Sequence, residues 1–169
     1  ENLQYLRSNG FTARFIDDQK LLPVLFSARW DATNSRWSVD DPDDVPTLAD
    51  GVRLFDSSVR AVQEDRRTGI VTLAVVWKDR ELAASWANLL VDQANRDLRQ
   101  RAIDDAQASL RYLDAELAKT TVLELRQSIY RLIEGQIKTM MLANVRDQYA
   151  CKVIDPAVAP LPTVRVPAV

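Results

Sequence analysis

The chain has 169 residues, 27% of them charged, with a formal net charge of −2 and a pI near 5.2. That length holds one domain with a modest core, and the balanced charge gives no pull toward nucleic acid or anionic lipid. The sequence has no histidine and one cysteine, Cys151, which excludes an intramolecular disulfide, a Ser-His-Asp arrangement and a zinc site of ordinary composition.

In chain order, residues 1–26 read as short helices. Leu3 and Leu6, then Phe11, Phe15 and Ile16, have helical spacing. Gly10 is expected to stop the first run and Pro23 to break the second. Residues 27–46 carry Trp30, Trp37, Pro42 and Pro46 among Asp, Asn and Ser, and read as a loop that its two indoles pin to the core. Stacking on sugar rings is the alternative reading of these indoles. Asp40, Asp41, Asp43, Asp44 and Asp50 form an acidic stretch. It reads as a solvated loop, because a calcium site would need the EF-hand spacing and glycine that it lacks. Thr47-Leu48-Ala49-Asp50 opens a helix with a capping box, which turns Leu54 and Phe55 inward.

Residues 58–77 read as a β-hairpin with a polar turn at 64–69. Ile70-Val71-Thr72-Leu73-Ala74-Val75-Val76-Trp77 has β-branched residues on both faces, which predicts a central strand covered on both sides. Asp79 then caps a long helix. Leu82, Trp86, Leu89, Leu90, Ala94, Leu98, Ala102, Ala106, Leu110, Leu113 and Leu117 step by three and four over some forty residues, or ~60 Å. Asp92–Arg96 and Asp97–Arg101 are placed for i,i+4 pairs on its outer face.

Thr121-Val122-Leu123-Glu124 reads as a capping box that restarts a helix, with Leu125, Ile129, Leu132, Ile133, Ile137, Met140 and Met141 as its stripe. Two helices joined so closely must run antiparallel. Ala150–Asp155 reads as a last strand, added beside one already present. Pro156, Pro160, Pro162 and Pro167 then enforce an extended tail. The predicted fold is α+β. A small sheet packed with short helices forms a base from 1–95 and 144–158. A long antiparallel helical hairpin, about 96–143, projects from it, and 156–169 is a proline-rich tail.

No phosphate-cradling glycine loop is present, and the paired carboxylates sit at surface-helix spacings, so the chain reads as a non-enzyme without cofactor or metal. The candidate functional residues are charges lining the hairpin: Arg111, Glu116, Glu124, Arg126, Arg131 and Glu134, with Asp114 beside them. They serve either solubility and pairing within the hairpin or charge pairing between neighbouring subunits.

Val76-Trp77-Lys78-Asp79 followed by Ala83-Ala84-Ser85-Trp86-Ala87-Asn88-Leu89-Leu90-Val91 resembles the start of the long helix in Wzz-type chain-length determinant proteins, the polysaccharide co-polymerases. Glu64–Gly69, Tyr112-Leu113, Glu124-Leu125-Arg126, Ile133–Lys138, Met141-Leu142-Ala143 and Val153-Ile154-Asp155-Pro156-Ala157 are similar to the same family in the same order, over roughly residues 20–162. The resemblance implies a periplasmic domain held between two helices of a bacterial inner membrane. It implies a closed homo-oligomer that sets the chain length of O-antigen or a related surface polysaccharide. The implied partners are a membrane-bound polymerase and the growing polysaccharide itself, and no catalytic residue is carried over. The sequence departs from the pattern in three respects: it holds neither membrane helix, it lacks the strand expected after the first, and its hairpin is short. The alternatives are the outer domain of a tyrosine autokinase that regulates capsule or exopolysaccharide export, and a glycan- or calcium-binding module built on residues 30–50. A coiled-coil adaptor of a secretion system is a weaker alternative.

Overall fold

A computed structural model describes residues 2–160; the prolines expected to extend the tail at 162 and 167 lie outside the described residues. The fold is α+β, with short helices and two small antiparallel sheets preceding two long helices. The chain divides into two compact units, one running to Leu90 and resuming at Asp155, the other spanning Val91–Ile154.

In the first unit, helices α1 (Asn2–Leu6), α2 (Asn9–Asp18) and α3 (Leu22–Leu25) come first. Gly10 does not end a helix. It sits in the first turn of α2, where the Ser8 hydroxyl accepts from the Phe11 N–H at 3.2 Å and starts the helix one residue earlier. Pro23 likewise does not break the run: α2 has already ended at Asp18, and Pro23 stands in the first turn of α3, where its missing N–H costs nothing. The predicted loop contains a short hairpin, β1 (Trp30–Asp31) and β2 (Arg36–Trp37), preceded by a 3₁₀ turn at Ser27–Arg29 and followed by one at Pro42–Asp44.

Helix α4 (Leu48–Leu54) begins with the expected capping box, in which Thr47 and Asp50 each hold the other's backbone N–H. The Thr47 hydroxyl also donates to Asp50 Oδ2 at 2.7 Å; that bond first, and then the one from the Thr47 N–H, holds the Asp50 carboxyl below its ordinary pKa. Gly51 is placed by packing. A Cβ there would lie 2.7 Å from Leu22 Cδ2 and 3.5 Å from Ile16, so a larger residue requires the end of the Leu22 side chain to shift. A π turn, Phe55–Val59, leads into β3 (Arg60–Asp65), which pairs with β4 (Ile70–Val75) across a turn whose Gly69 adopts φ +70°.

The expectation of a central strand fails. Among the described residues the sheet has only β3 and β4, and Ile70 and Val71 are exposed. The inward residues of this hairpin are Val62, Leu73 and Val75, which alternate as in a sheet with one covered face. The core beneath is aromatic. Tyr5 meets Phe11 (centroids 5.1 Å apart), Phe15 meets Phe55 (5.9 Å), Phe55 meets Trp86 (6.3 Å) and Trp86 meets Trp77 (5.3 Å).

Helix α5 (Arg80–Lys119) is one 40-residue element. Asp79 caps it as predicted, accepting from the N–H groups of Glu81 (2.9 Å) and Leu82 (3.0 Å). Arg96 donates to Gln93 rather than Asp92, and Gln93 donates to Asp97. After three residues the chain enters α6 (Leu123–Val145). The expected Thr121 capping box does not form: Val122 occupies the N-cap without a side-chain bond. Arg126 supplies the order there instead, donating to the carbonyls of Leu117 and Thr120, both at 3.0 Å.

Ala150–Asp155 is not a strand. Asn95, 3% exposed, takes the backbone groups that a strand partner would take. Its Nδ2 donates to the Cys151 carbonyl (2.9 Å), and its Oδ1 accepts from the N–H groups of Ala150 (3.0 Å) and Cys151 (2.7 Å). Among the described residues, β4 pairs with β3 alone, so this segment adds no strand to that sheet.

Candidate functional site

The six charges singled out from the sequence have different surroundings within the chain. Glu116 accepts from Lys119 (3.0 Å) and Glu134 from Lys138 (2.9 Å), both ordinary local helix pairs worth a few tenths of a kcal/mol. Arg126 is half-buried and committed to the turn between the helices, with Tyr130 Oη at 3.5 Å as a further contact. Replacing Arg126 with alanine strips the Leu117 and Thr120 carbonyls of a charged donor. The expected loss is about 1–2 kcal/mol, read as a lower thermal midpoint with faster amide exchange confined to residues near 120–126. Arg111, Glu124 and Arg131 are exposed, and among the described residues they join no ion pair within the chain. Asp114 is exposed as well.

The larger feature of the second unit is apolar. On α6, Ile129, Ile133, Gln136, Met140 and Ala143 step by four and three and are the less exposed positions, Ala143 completely buried. A second row stands in solvent: Leu123, Tyr130, Ile137 and Met141, spaced by seven, seven and four, are 64%, 52%, 41% and 62% exposed. Leu132, expected in the buried stripe, is 56% exposed. It lines a shallow groove with Ala108, Ser109, Tyr112, Leu113 and Gln136. The expectation that Leu132 belongs to a buried stripe is overturned.

In the first unit, Trp30 and Trp37 pack edge to face across β1 and β2, with centroids 5.0 Å apart. Both rings are half-buried. A second shallow groove is lined by Phe26, Arg29, Pro46, Asp50, Arg53, Leu54 and Ser57. Among the described residues, no group of three or more His, Cys, Asp or Glu side chains is placed to hold a metal ion, and no helix is long and apolar enough to cross a membrane. Burial pushes the half-buried Cys151 thiol above its ordinary pKa, which keeps it a thiol at neutral pH.

Two polar arrangements were missed from the sequence. Arg60 opens β3, yet its side chain is 4% exposed. It donates to the Leu6 carbonyl, to Thr12 Oγ1 at 2.8 Å and to Asp56. Asn88 and Asn95 each clasp backbone from the end of the chain. The available signal was a repeat, Ala87-Asn88 and Ala94-Asn95 seven residues apart, in which both alanines are buried and both asparagines bind backbone. Comparison of the chain with protein-family models, with curated proteins and with solved structures finds no match in any of the three.

Proposed function

We propose that this chain is a non-enzymatic assembly element. In this reading α5 and α6 form a projecting antiparallel hairpin, and copies of the chain pack through it into a homo-oligomer. That assembly regulates the chain length of a surface polysaccharide, together with a membrane-bound polymerase, from the periplasmic side of a bacterial inner membrane. The observation that carries the assembly is the pair of solvent-facing apolar features on the second unit. These are the Leu123–Tyr130–Ile137–Met141 row and the groove at Tyr112 and Leu132. A second copy of the chain would cover these exposed apolar side chains.

The antiparallel arrangement is supported by contacts that run in opposite order along the two segments. Leu117 meets Arg126, residues 108–113 share a groove with Leu132 and Gln136, Arg99 meets Asp147 at 3.6 Å, and Asn95 meets Ala150 and Cys151. The polysaccharide and the membrane partner rest on the ordered resemblance of residues 20–162 to chain-length determinant proteins. One support for that resemblance has gone, because Val153-Ile154 does not complete the sheet with β4.

The assembly and the pathway are tested separately. Leu132→Asp places a charge at an exposed position, so its stability is expected to stay within about 0.5 kcal/mol of the parent. Its sedimentation coefficient should fall toward that of a single copy. An oligomer of unchanged mass would remove the groove from the interface. Deleting the gene should alter the length distribution of the surface polysaccharide on a gel, and an unchanged ladder would end the polysaccharide reading.

A further inference from the structure

Near the end of the described chain, one side chain clasps one residue. Asn88 Nδ2 donates to the Ala157 carbonyl (2.8 Å), and Asn88 Oδ1 accepts from the Ala157 N–H (3.0 Å). Three residues on, the Pro160 carbonyl accepts from Arg80 Nη1 at 3.2 Å. Arg80 and Asn88 are separated by eight helical steps, about 12 Å along α5. Three extended residues reach about 10 Å, and the arginine side chain spans the rest. Residues 157–160 are therefore drawn out along the first turns of α5, against its direction.

Little apolar burial holds them there. Val158 is 79% exposed, Pro156 and Pro160 are exposed, and Ala157 and Ala159 are only half-buried. The core of the same unit is different in kind, with Phe15, Ile16 and Phe55 at 1% exposure or less. The segment is held by polar contacts made at its two ends.

We propose that residues 157–160 are a latch that opens locally while the rest of the first unit stays folded, and that Asn88 is the positioning residue that closes it. Among the described residues, opening costs the two Asn88 bonds, the Arg80 bond and the partial burial of Ala157 and Ala159, the profile of a low-stability element. Pro156 and Pro160 restrict the strap to extended conformations whether it is shut or open, so closing it orders little further chain. The shut latch pins Pro160 beside Arg80, and the open one releases it. This inference is independent of the polysaccharide reading.

The test is amide exchange on the intact chain. In Asn88→Ala the protection of the Ala157 N–H should fall about tenfold or more, as expected for losing two hydrogen bonds, while Phe15 in α2 keeps its protection. Asn88→Asp gives a sharper readout. As a carboxylate it accepts from the Ala157 N–H but faces the Ala157 carbonyl with a second acceptor. Once protonated it can donate to that carbonyl as well. Ala157 protection, taken relative to the parent at each pH, should therefore rise as pH falls through the carboxyl range. Unchanged Ala157 protection in Asn88→Ala overturns the latch. So does an equal loss at Ala157 and Phe15, which would make Asn88 an ordinary core residue. A pH-independent ratio in Asn88→Asp would show that the two-bond clasp is not what holds the strap.

Discussion

Replacing Asp56 with alanine is expected to destabilise the first unit by about 3 kcal/mol, a large share of the stability of a small domain. The Arg60 side chain is 4% exposed. Burial lowers its pKa from the ordinary arginine value, and the charge of Asp56 acts in the opposite direction. Arginine remains a cation regardless, so the fold must supply partners. It supplies the Leu6 carbonyl, Thr12 Oγ1 and the Asp56 carboxylate, with the Phe55 ring centroid 5.9 Å from the guanidinium. Only Asp56 carries a charge. Removing it leaves a desolvated cation among neutral acceptors, which costs more than never having buried the charge. The Asp56 side chain is 31% exposed, so water can enter the vacated position, and the loss is placed at the low end of the 3–5 kcal/mol typical of such breaks. Urea midpoints followed by tryptophan fluorescence measure it. Arg60→Met added to Asp56→Ala should recover part of the loss, because the double variant buries no charge. A midpoint unmoved by Asp56→Ala, or a double variant worse than the sum of its parts, would show that the pair does not stabilise the fold.

The parts of the fold that were readable from sequence are those set by near neighbours. Asp79 followed by residues stepping in threes and fours gives α5, Thr47 with Asp50 gives the start of α4, and a β-branched run after Gly69 gives β4. Each signal lies within a few residues of its effect. The failures are long-range. Residues 150–154 have strand propensity, but whether a strand forms depends on the partner that the backbone meets. Here Ala150 and Cys151 meet the amide of Asn95, more than fifty residues earlier, and the Val153 N–H meets the Gln148 side chain. An asparagine inside a helix reads as a solvated polar residue, and nothing local distinguishes one that is 3% exposed.

The face of α6 was misread for a related reason. The predicted stripe mixed half-buried Ile129, Ile133 and Met140 with exposed Leu125, Leu132, Ile137 and Met141. Stepping by three and four does not separate neighbouring rows of one helix. Charge positions were legible but their roles were not. Glu116, Arg126 and Glu134 are taken by lysines or carbonyls of their own unit, which leaves Arg111, Glu124 and Arg131 as the exposed remainder of the set. Arg60 carried no signal at all, since an arginine opening a strand beside a polar turn is the ordinary appearance of a surface residue.

Phe55→Ala is expected to be the most damaging single substitution, at about 3–5 kcal/mol. Phe55 is completely buried and stands where three parts of the first unit meet. It touches Phe15 of α2 at a centroid distance of 5.9 Å and Trp86 of α5 at 6.3 Å, and it lies 5.9 Å from the Arg60 guanidinium of β3. Truncation opens a cavity whose walls are rings and a hydrogen-bonded cation. Such walls collapse poorly, and the cost of a cavity rises with the volume left unfilled. Trp86 reports the event directly: it is 4% exposed, so its emission should shift to longer wavelength as water reaches it. Phe55→Leu keeps much of the volume and should cost less than half as much. The substitution also removes the ring over Arg60. Its effect and that of Asp56→Ala should therefore be coupled rather than additive, because both act on the same buried cation. A loss below about 1 kcal/mol for Phe55→Ala, against the usual range for buried aromatic residues, would mean that the aromatic series from Phe15 to Trp86 is loosely packed. The buried arginine would then lack the rigid surroundings that the Asp56 argument assumes. Additive effects in the double variant would separate the aromatic core from the ionic one and confine the Asp56 effect to α1, α2 and β3.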